Sequence, residues 1–370
     1  MNNPTTSQEF HLPLAQITQP PLDCTLRYLN FEGHYARLGL EYSHSEPFAG
    51  MARCAFSPMA AAPAAVRAPW CITLLSASPR LSQLQRLLQF FAEQQWTVTA
   101  VDTLSQSLTR TVIRFQIDGK VELSTARNAC LQMADTLGAD LVLQPGASQK
   151  VPALAGFDMD STLIDAEVID ELAKITGVED QVAAITQAAM SGDLDFCESF
   201  KRRMALLKGF SEQSLAEIAP QLPLKTGAHK LLNNLRALGC KTAILTGGFS
   251  YFAHYLQRER LPVDFVYANE MVFSGGVLTG GVMEPIVDGL RKRALLQAKA
   301  QELKLGPESV VAMGDGANDL PMLHLGALGI AIHPKPKVRL EAPQVINLFG
   351  LDAALYLFGL NDRQIEKLAS

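Results

Sequence analysis

The chain lacks paired cysteines. Six cysteines (Cys24, Cys54, Cys71, Cys130, Cys197 and Cys240) are scattered over 370 residues with no C-x-x-C among them. That spacing argues against a zinc site or a disulfide framework and fits a reducing compartment. The seven histidines show no metal-ligand spacing. No apolar run reaches the length of a membrane span, so no membrane partner is expected. The polar start, Met1-Asn2-Asn3-Pro4, lacks the apolar stretch of a secretory signal, and the expectation is a cytoplasmic protein. Basic excess is also missing: the net charge is −5, and nothing points to a nucleic-acid surface. What is present, 48% hydrophobic and 19% charged residues, is the balance of a globular chain. Its length predicts two or three domains with ample core.

Residues 1–68 carry little periodicity, are punctuated by Pro20-Pro21, and read as either a few strands or a loose extension, to which no chemistry is assigned. Residues 69–145 are clearer. A strand at Ile72–Ser76 precedes Leu81, Leu84, Leu87, Leu88 and Phe91 at helical spacing. Alternating stretches at Trp96–Asp102 and Thr111–Ile117 predict two strands, Val121–Leu137 a second helix, and Asp140–Leu143 a last strand. The order β-α-β-β-α-β predicts a ferredoxin-like α+β domain. Gly146-Ala147-Ser148-Gln149-Lys150 is short, small and polar, as a linker should be.

A third domain is expected over residues 151–370. An apolar run from Ala153 to Phe157 reads as a buried strand, followed at once by Asp158-Met159-Asp160-Ser161-Thr162. On extended chain, residues two apart point the same way, so Asp158 and Asp160 share one small space. Two like charges that close are unfavourable unless a cation or a shared proton relieves them. Residues 165–224 are mostly helical and predict a cap inserted above the strand ends. A second apolar strand, Lys241–Leu245, leads into Thr246-Gly247-Gly248 and then a helix from Tyr251 to Glu259. A hydroxyl with two glycines lets backbone N–H groups approach an anion, and the helix start favours negative charge. Phe265–Ala268 predicts a strand, Met271–Glu284 a glycine-punctuated hairpin, and Val287–Leu303 a helix carrying Arg291 and Lys292. Spacing alone leaves open which of these two points inward. Val310–Met313 is the next strand and ends in Gly314-Asp315-Gly316-Ala317-Asn318-Asp319. Ile330–Ile332 is the last predicted strand, with closing helices after it. Alternation of strand and helix predicts a doubly wound parallel sheet, an α/β fold, with its site at the carboxyl ends of the strands. Hard oxygen donors, a hydroxyl, glycine amides and a lysine suit magnesium-assisted phosphoryl transfer.

These four stretches, in this order, resemble the four motifs of the haloacid dehalogenase superfamily of aspartate-nucleophile phosphatases. The resemblance covers residues 151 to about 340. The segment 69–145 resembles, more loosely, an ACT domain, a module that often pairs with copies of itself; a homodimer through it is the implied partner. By the resemblance, Asp158 is the nucleophile and Asp160 the general acid/base. The Asp158 and Asp315 carboxylates and the Asp160 main-chain carbonyl would hold Mg²⁺, with Asp319 supporting. Thr246 and Gly247 would bind phosphate, and Lys292 would neutralise it, since V-D-G-L-R-K resembles the family's V-D-A-x-x-K. Thr246 stands where the family usually has Ser.

Substrate-side residues resemble the branch of the family that hydrolyses O-phospho-L-serine. Glu167 matches the position that grips the substrate ammonium. The stretch Ala189–Phe196 resembles A-M-x-G-x-x-D-F, so Met190 and Phe196 would line the pocket. Arg203 matches the position that holds the substrate carboxylate, and Asn318 a further substrate contact. A zwitterion needs an anion for its ammonium and a forked cation for its carboxylate. The implied activity is magnesium-dependent release of L-serine, the last step of serine biosynthesis. Two other readings stay open: a relative acting on another small phosphomonoester, and an amino-acid-binding regulator with a degenerate phosphatase fold.

Overall fold

The computed structural model describes residues 6–13, 25–32, 35–42, 68–77, 79–107, 109–191 and 193–369, with side chains described from residue 68 onward except at residues 190, 191 and 369. The chain divides into two compact units, the first comprising residues 1–150 with 355–368 and the second residues 151–354.

In the first unit, β1 (Thr6–Pro13), β2 (Thr25–Glu32) and β3 (Tyr35–Tyr42) form an antiparallel sheet in the order β1-β3-β2. The ferredoxin-like segment follows: β4 (Trp70–Ser76), α1 (Leu81–Glu93), β5 (Thr97–Gln106), β6 (Thr111–Asp118), α2 (Leu123–Leu137) and β7 (Asp140–Pro145). Its sheet runs β5-β6-β4-β7, antiparallel throughout. The apolar face of α1 packs on this sheet with Phe91 against Phe115, rings 5.2 Å apart. Glu122 caps α2 through the N–H groups of Ser124 and Thr125, and Gly138, in the left-handed region, ends it.

The second unit is built on β8 (Leu154–Phe157). Helices α3 (Val168–Thr176), α4 (Glu179–Ser191), α5 (Phe196–Leu206) and α6 (Leu215–Ile218) form the insertion. Then come α7 (Ala228–Ala237), β9 (Lys241–Phe249), α8 (Ser250–Tyr255), β10 (Phe265–Asn269), the hairpin β11 (Met271–Ser274) and β12 (Val277–Val282), and α9 (Gly289–Glu302). The chain continues through β13 (Val310–Gly314), α10 (Leu320–Leu323), β14 (Leu328–Ile332), α11 (Pro336–Glu341) and β15 (Gln344–Ile346). The sheet is parallel with the order β10-β9-β8-β13-β14-β15. This is the doubly wound arrangement, and the strand order reverses between β8 and β13, where such sheets open a crevice. All four residues of β8 are buried, as a central strand covered on both faces requires.

Two expectations are corrected. Closing helices alone were predicted after Ile332, but Gln344–Ile346 adds a sixth strand; three residues are too few to show a period. β9 does not stop at Leu245 but runs through Thr246-Gly247-Gly248 to Phe249. Thr246-Gly247-Gly248 is therefore extended chain, and the helix predicted after it is present from Ser250 to Arg260, its second half a π-helix.

The segment Leu355–Leu368, which takes in most of α12 (Ala354–Leu357) and α13 (Asp362–Ala369), packs with the first unit, although it follows the phosphatase-like segment in sequence. Asp362 accepts the Tyr356 hydroxyl within the segment at 2.6 Å and the Gln106 N–H of β5 at 3.3 Å. Gln144 adds a bond from its Nε2 to the Leu357 carbonyl at 3.0 Å. Asp362→Ala removes two bonds at once and should lower the stability of this unit by about 1–3 kcal/mol. Urea unfolding followed by tryptophan fluorescence checks it, because both tryptophans, Trp70 and Trp96, belong to this unit. An unchanged midpoint would mean the carboxylate is not what holds the segment.

Candidate active site

Strands β8, β9 and β13 deliver the sequence motifs to one edge. Phe157 is level with Ile244 on one side and Met313 on the other, so the residues that follow each strand emerge side by side. Ser161, with φ +56°, turns the chain sharply, and the Thr162 hydroxyl then reaches Asp315 Oδ1 at 3.0 Å.

Lys292 settles the question left open at Arg291-Lys292. Arg291 is exposed and Lys292 is fully buried. Its Nζ lies 2.8 Å from Asp158 Oδ1 and 2.7 Å from Asp319 Oδ1. The two carboxylates outweigh the burial of the ammonium and push its pKa upward. Asp158 Oδ1 also accepts the Met159 N–H at 2.7 Å. Asp319 Oδ2 accepts the N–H groups of Asp315 and Gly316 at 3.1 and 2.9 Å. Burial pushes the Asp319 carboxyl up, while Lys292 and these amides favour its charged form.

Carboxylate oxygens of Asp158, Asp315 and Asp319 all lie within 4.8 Å of one another, and all three residues are buried. Three carboxylates crowd one ammonium in a largely buried cluster. The strain registers at Asp315, whose pKa is pushed up to about 7 by burial and then by the Asp158 charge. Hard oxygen donors crowded in this way fit a divalent cation. Asp160 takes a different part. Its Oδ1 accepts the Val168 N–H at 2.9 Å, and its Oδ2 receives the Thr246 hydroxyl at 3.4 Å. Burial, then the Glu167 and Asp158 charges, hold it well above the usual carboxylate range.

On β9, the Thr246 hydroxyl accepts the Gly248 N–H at 2.8 Å. The two glycines are demanded by crowding: a Cβ on Gly247 would meet Phe196 Cζ at 2.6 Å, and one on Gly248 would meet Asp160 Oδ2 at 2.4 Å. The cleft is a cavity of about 760 Å³. Asp158, Asp160, Thr246, Gly247, Asp315 and Asn318 line it from the sheet side, and Glu167, Phe196 and Arg203 from the inserted helices. Glu167 precedes α3, accepts the Ser161 hydroxyl at 2.9 Å, and has its pKa raised by burial. Arg203 is largely buried, which lowers its pKa against the opposing pull of Glu167. Lys201 and Arg202, by contrast, lie on the exposed face of α5 and pair with Glu284 and Glu198. The Met190 side chain lies outside the described residues.

The sequence reading missed three residues. Lys335 and Lys337, in the loop after β14 and the start of α11, also line the cavity; the Lys335 N–H donates to the Asp315 carbonyl at 3.4 Å. Pro-Lys-Pro-Lys carries no local signal of a site. Asn269, 3% exposed at the end of β10, bonds to both Gly247 and Val287, a pairing no sequence window displays.

A parallel sheet with acidic strand ends, a buried lysine and an inserted helical cap defines a class. The haloacid dehalogenase-like hydrolase model matches residues 153–325, and the chain belongs to that family. Within it, the similarity runs to phosphoserine phosphatases. The chain is 41% identical over 261 residues to a probable phosphoserine phosphatase of Schizosaccharomyces pombe, covering 70% of this chain and 87% of that one. It is 43% identical over 225 residues to the phosphoserine phosphatase of Haemophilus influenzae, covering 61% and 71%. Among solved structures, a haloacid dehalogenase family hydrolase from Salmonella enterica serovar Typhi matches with a TM-score of 0.70 at 30% identity, over 78% of this chain and 98% of that one. A substrate-bound phosphoserine phosphatase matches with a TM-score of 0.53 at 33% identity, over 56% and 98%. Among the described residues no helix is long and apolar enough to cross a membrane.

The carboxylate cluster predicts a pH effect on stability. With Asp315 near 7 when folded and near its ordinary 3.8 when unfolded, the folded state holds the extra proton between those values. Stability is then present below about pH 4 and lost as pH rises through about 7. The chelator-treated protein should melt at progressively lower temperature from pH 5 to pH 8. Added Mg²⁺ should raise the melting temperature more at pH 8 than at pH 5, because binding needs the charged carboxylates. A metal effect independent of pH would refute this account of the cluster.

Proposed function

We propose that the protein hydrolyses O-phospho-L-serine to L-serine and phosphate through an aspartyl-phosphate, with Mg²⁺ as its metal. The observation that carries this reading is that one cavity is lined both by the Asp158 cluster and by Glu167 and Arg203. A phosphomonoester whose alcohol is a zwitterion needs all of them. Glu167 supplies the anion for the ammonium, and Arg203 a planar cation for the carboxylate. Phe196 and Met190 would flank the small side chain, with Asn318 a further contact.

In the chemistry, the Asp158 carboxylate, paired with the Lys292 ammonium, attacks phosphorus and the ester P–O bond breaks. Asp160, whose buried environment favours the protonated form, gives its proton to the departing serine oxygen. Asp160, now charged, takes a proton from water as the water attacks the aspartyl-phosphate, which frees Asp158 and phosphate. Thr246 and the Gly247 amide hold phosphoryl oxygens, and Lys292 offsets their charge. Mg²⁺ would be held by Asp158 and Asp315 and the Asp160 main-chain carbonyl, supported by Asp319, and supplies charge neutralisation on the transferring group. The same reading takes residues 69–145 as an ACT-like module through which two copies would pair, and the enzyme as cytoplasmic.

The test is phosphate release from L-phosphoserine beside phosphothreonine, a sugar phosphate and p-nitrophenyl phosphate, with and without Mg²⁺. A metal-dependent preference for phosphoserine is expected; activity on the other esters alone would sink the substrate assignment. Asp158→Asn should abolish turnover, at least about 10⁴-fold, with the melting temperature of the chain retained. Arg203→Met should cut kcat/KM for phosphoserine about 10²-fold or more and leave p-nitrophenyl phosphate within about threefold. Equal losses on both esters would remove Arg203 from substrate selection.

A further inference from the structure

The stretch Thr246–Gly248 is a bulge that the sheet does not hold. The β9–β10 ladder pairs Leu245 with Tyr267 and next pairs Phe249 with Asn269. A single residue, Ala268, therefore faces three, Thr246, Gly247 and Gly248. Two of those three are glycines, whose backbones are free to rotate, and a bulge is where a strand is re-aimed next to a site. Something other than the ladder must fix the Gly247–Gly248 peptide.

Asn269 is in place to do so. Its Nδ2 donates to the Gly247 carbonyl at 2.9 Å, and its Oδ1 accepts the Val287 N–H at 2.7 Å. The amide orientation is forced, since the reverse would set donor against donor and acceptor against acceptor. A peptide unit is planar, with C=O and N–H pointing opposite ways. Drawing the Gly247 carbonyl toward Asn269 aims the Gly248 N–H the other way, where it meets Thr246 Oγ1 at 2.8 Å. The hydroxyl oxygen is thereby fixed in position, 3.4 Å from Asp160 Oδ2, with its proton free to turn. Through Val287, the same side chain ties the bulge to the start of α9, which carries Lys292 one turn on.

We propose that Asn269 is a positioning residue: it sets the peptide plane of the bulge that receives the phosphoryl group, and with it the Thr246 hydroxyl and the approach of Lys292, without touching substrate. The proposal rests on reading the cleft as a phosphomonoesterase site. It deepens that reading at the phosphate end only, independently of which alcohol leaves.

The experiment compares Asn269→Asp and Asn269→Ala with the unaltered chain. The Asp variant keeps the acceptor for Val287 but sets a carboxylate oxygen against the Gly247 carbonyl; the Ala variant removes both bonds. Each is assayed with Mg²⁺ on the best ester accepted by the unaltered chain, with orthovanadate as probe of the phosphate end and the alcohol product as probe of the other end. We expect kcat to fall about 10²-fold, orthovanadate inhibition to weaken about tenfold or more, and inhibition by the alcohol to stay within about twofold. Inhibition by both probes weakening together would mark general loosening and overturn the proposal. So would kcat within about threefold of the unaltered chain in both variants. If the Asp variant does not fold, the Ala variant decides by the same readouts; failure of both to fold would assign Asn269 to the fold and overturn the proposal too. An unaltered chain that accepts other esters but not phosphoserine fails the substrate reading while leaving this test intact.

Discussion

The second unit depends on one ammonium held between two carboxylates. Lys292 is fully buried and pairs with Asp158 and Asp319 at 2.8 and 2.7 Å. Taking such charges out of water costs several kcal/mol each, and replacing a buried ion pair by apolar side chains is often stabilising. The arrangement is therefore a poor way to hold a fold together and a good way to fix the Asp158 carboxylate in one place beside a cation. It persists because each charge is also met by backbone: the Met159 amide on Asp158, and the Asp315 and Gly316 amides on Asp319. Those amides belong to the turns that follow β8 and β13, so the ion cluster and the strand ends define each other.

The sheet makes that mutual definition affordable in space. With the order β10-β9-β8-β13-β14-β15, β8 lies between β9 and β13. Parallel strands end at the same edge, so three loops distant in sequence need only short excursions to meet. Their closeness also leaves little volume. Gly314 faces Asp319, whose Cγ would stand 2.4 Å from an added Cβ, and Gly248 faces Asp160 in the same way. The glycines around the cleft are thus read most simply as room for carboxylates.

Chemistry carried by short windows was legible in the sequence. Asp158 and Asp160 two apart, Asp315 and Asp319 four apart, and Thr246 with its glycines each follow a buried apolar run, which is enough to predict a strand end and a polar cluster. The ferredoxin-like order of the first unit was legible for the same reason, since its helices and strands are long and periodic. The sequence could not separate Arg291 from Lys292, because adjacent helix positions differ only in what the rest of the fold packs against them. It could not display Asn269 or Lys335, whose roles come from partners across the sheet. The methyl that distinguishes Thr246 from the usual Ser is accommodated: Thr246 is 1% exposed, yet its hydroxyl keeps both the Gly248 and Asp160 bonds.

The cleft is divided between two kinds of support. The phosphate end is made by strand ends and their cross-links, which have few ways to move. The other end, Glu167, Phe196 and Arg203, comes from helices inserted between two adjacent crossings of the chain. Those crossings are fastened to each other by the Asp165 and Lys225 N–H groups donating to the carbonyls of Pro223 and Leu163, at 2.8 and 2.9 Å, and by an ion pair between Lys225 and Asp165 at 2.6 Å. An insertion joined at one narrow neck can vary its inner face without disturbing the sheet. Attack on phosphorus requires the same charges whatever alcohol leaves, whereas choosing the alcohol requires only that the cap present the matching ones. On the proposed function, this division puts the chemistry at phosphorus in β8, β9, α9 and β13, and the choice of ester in the segment from Glu167 to α5.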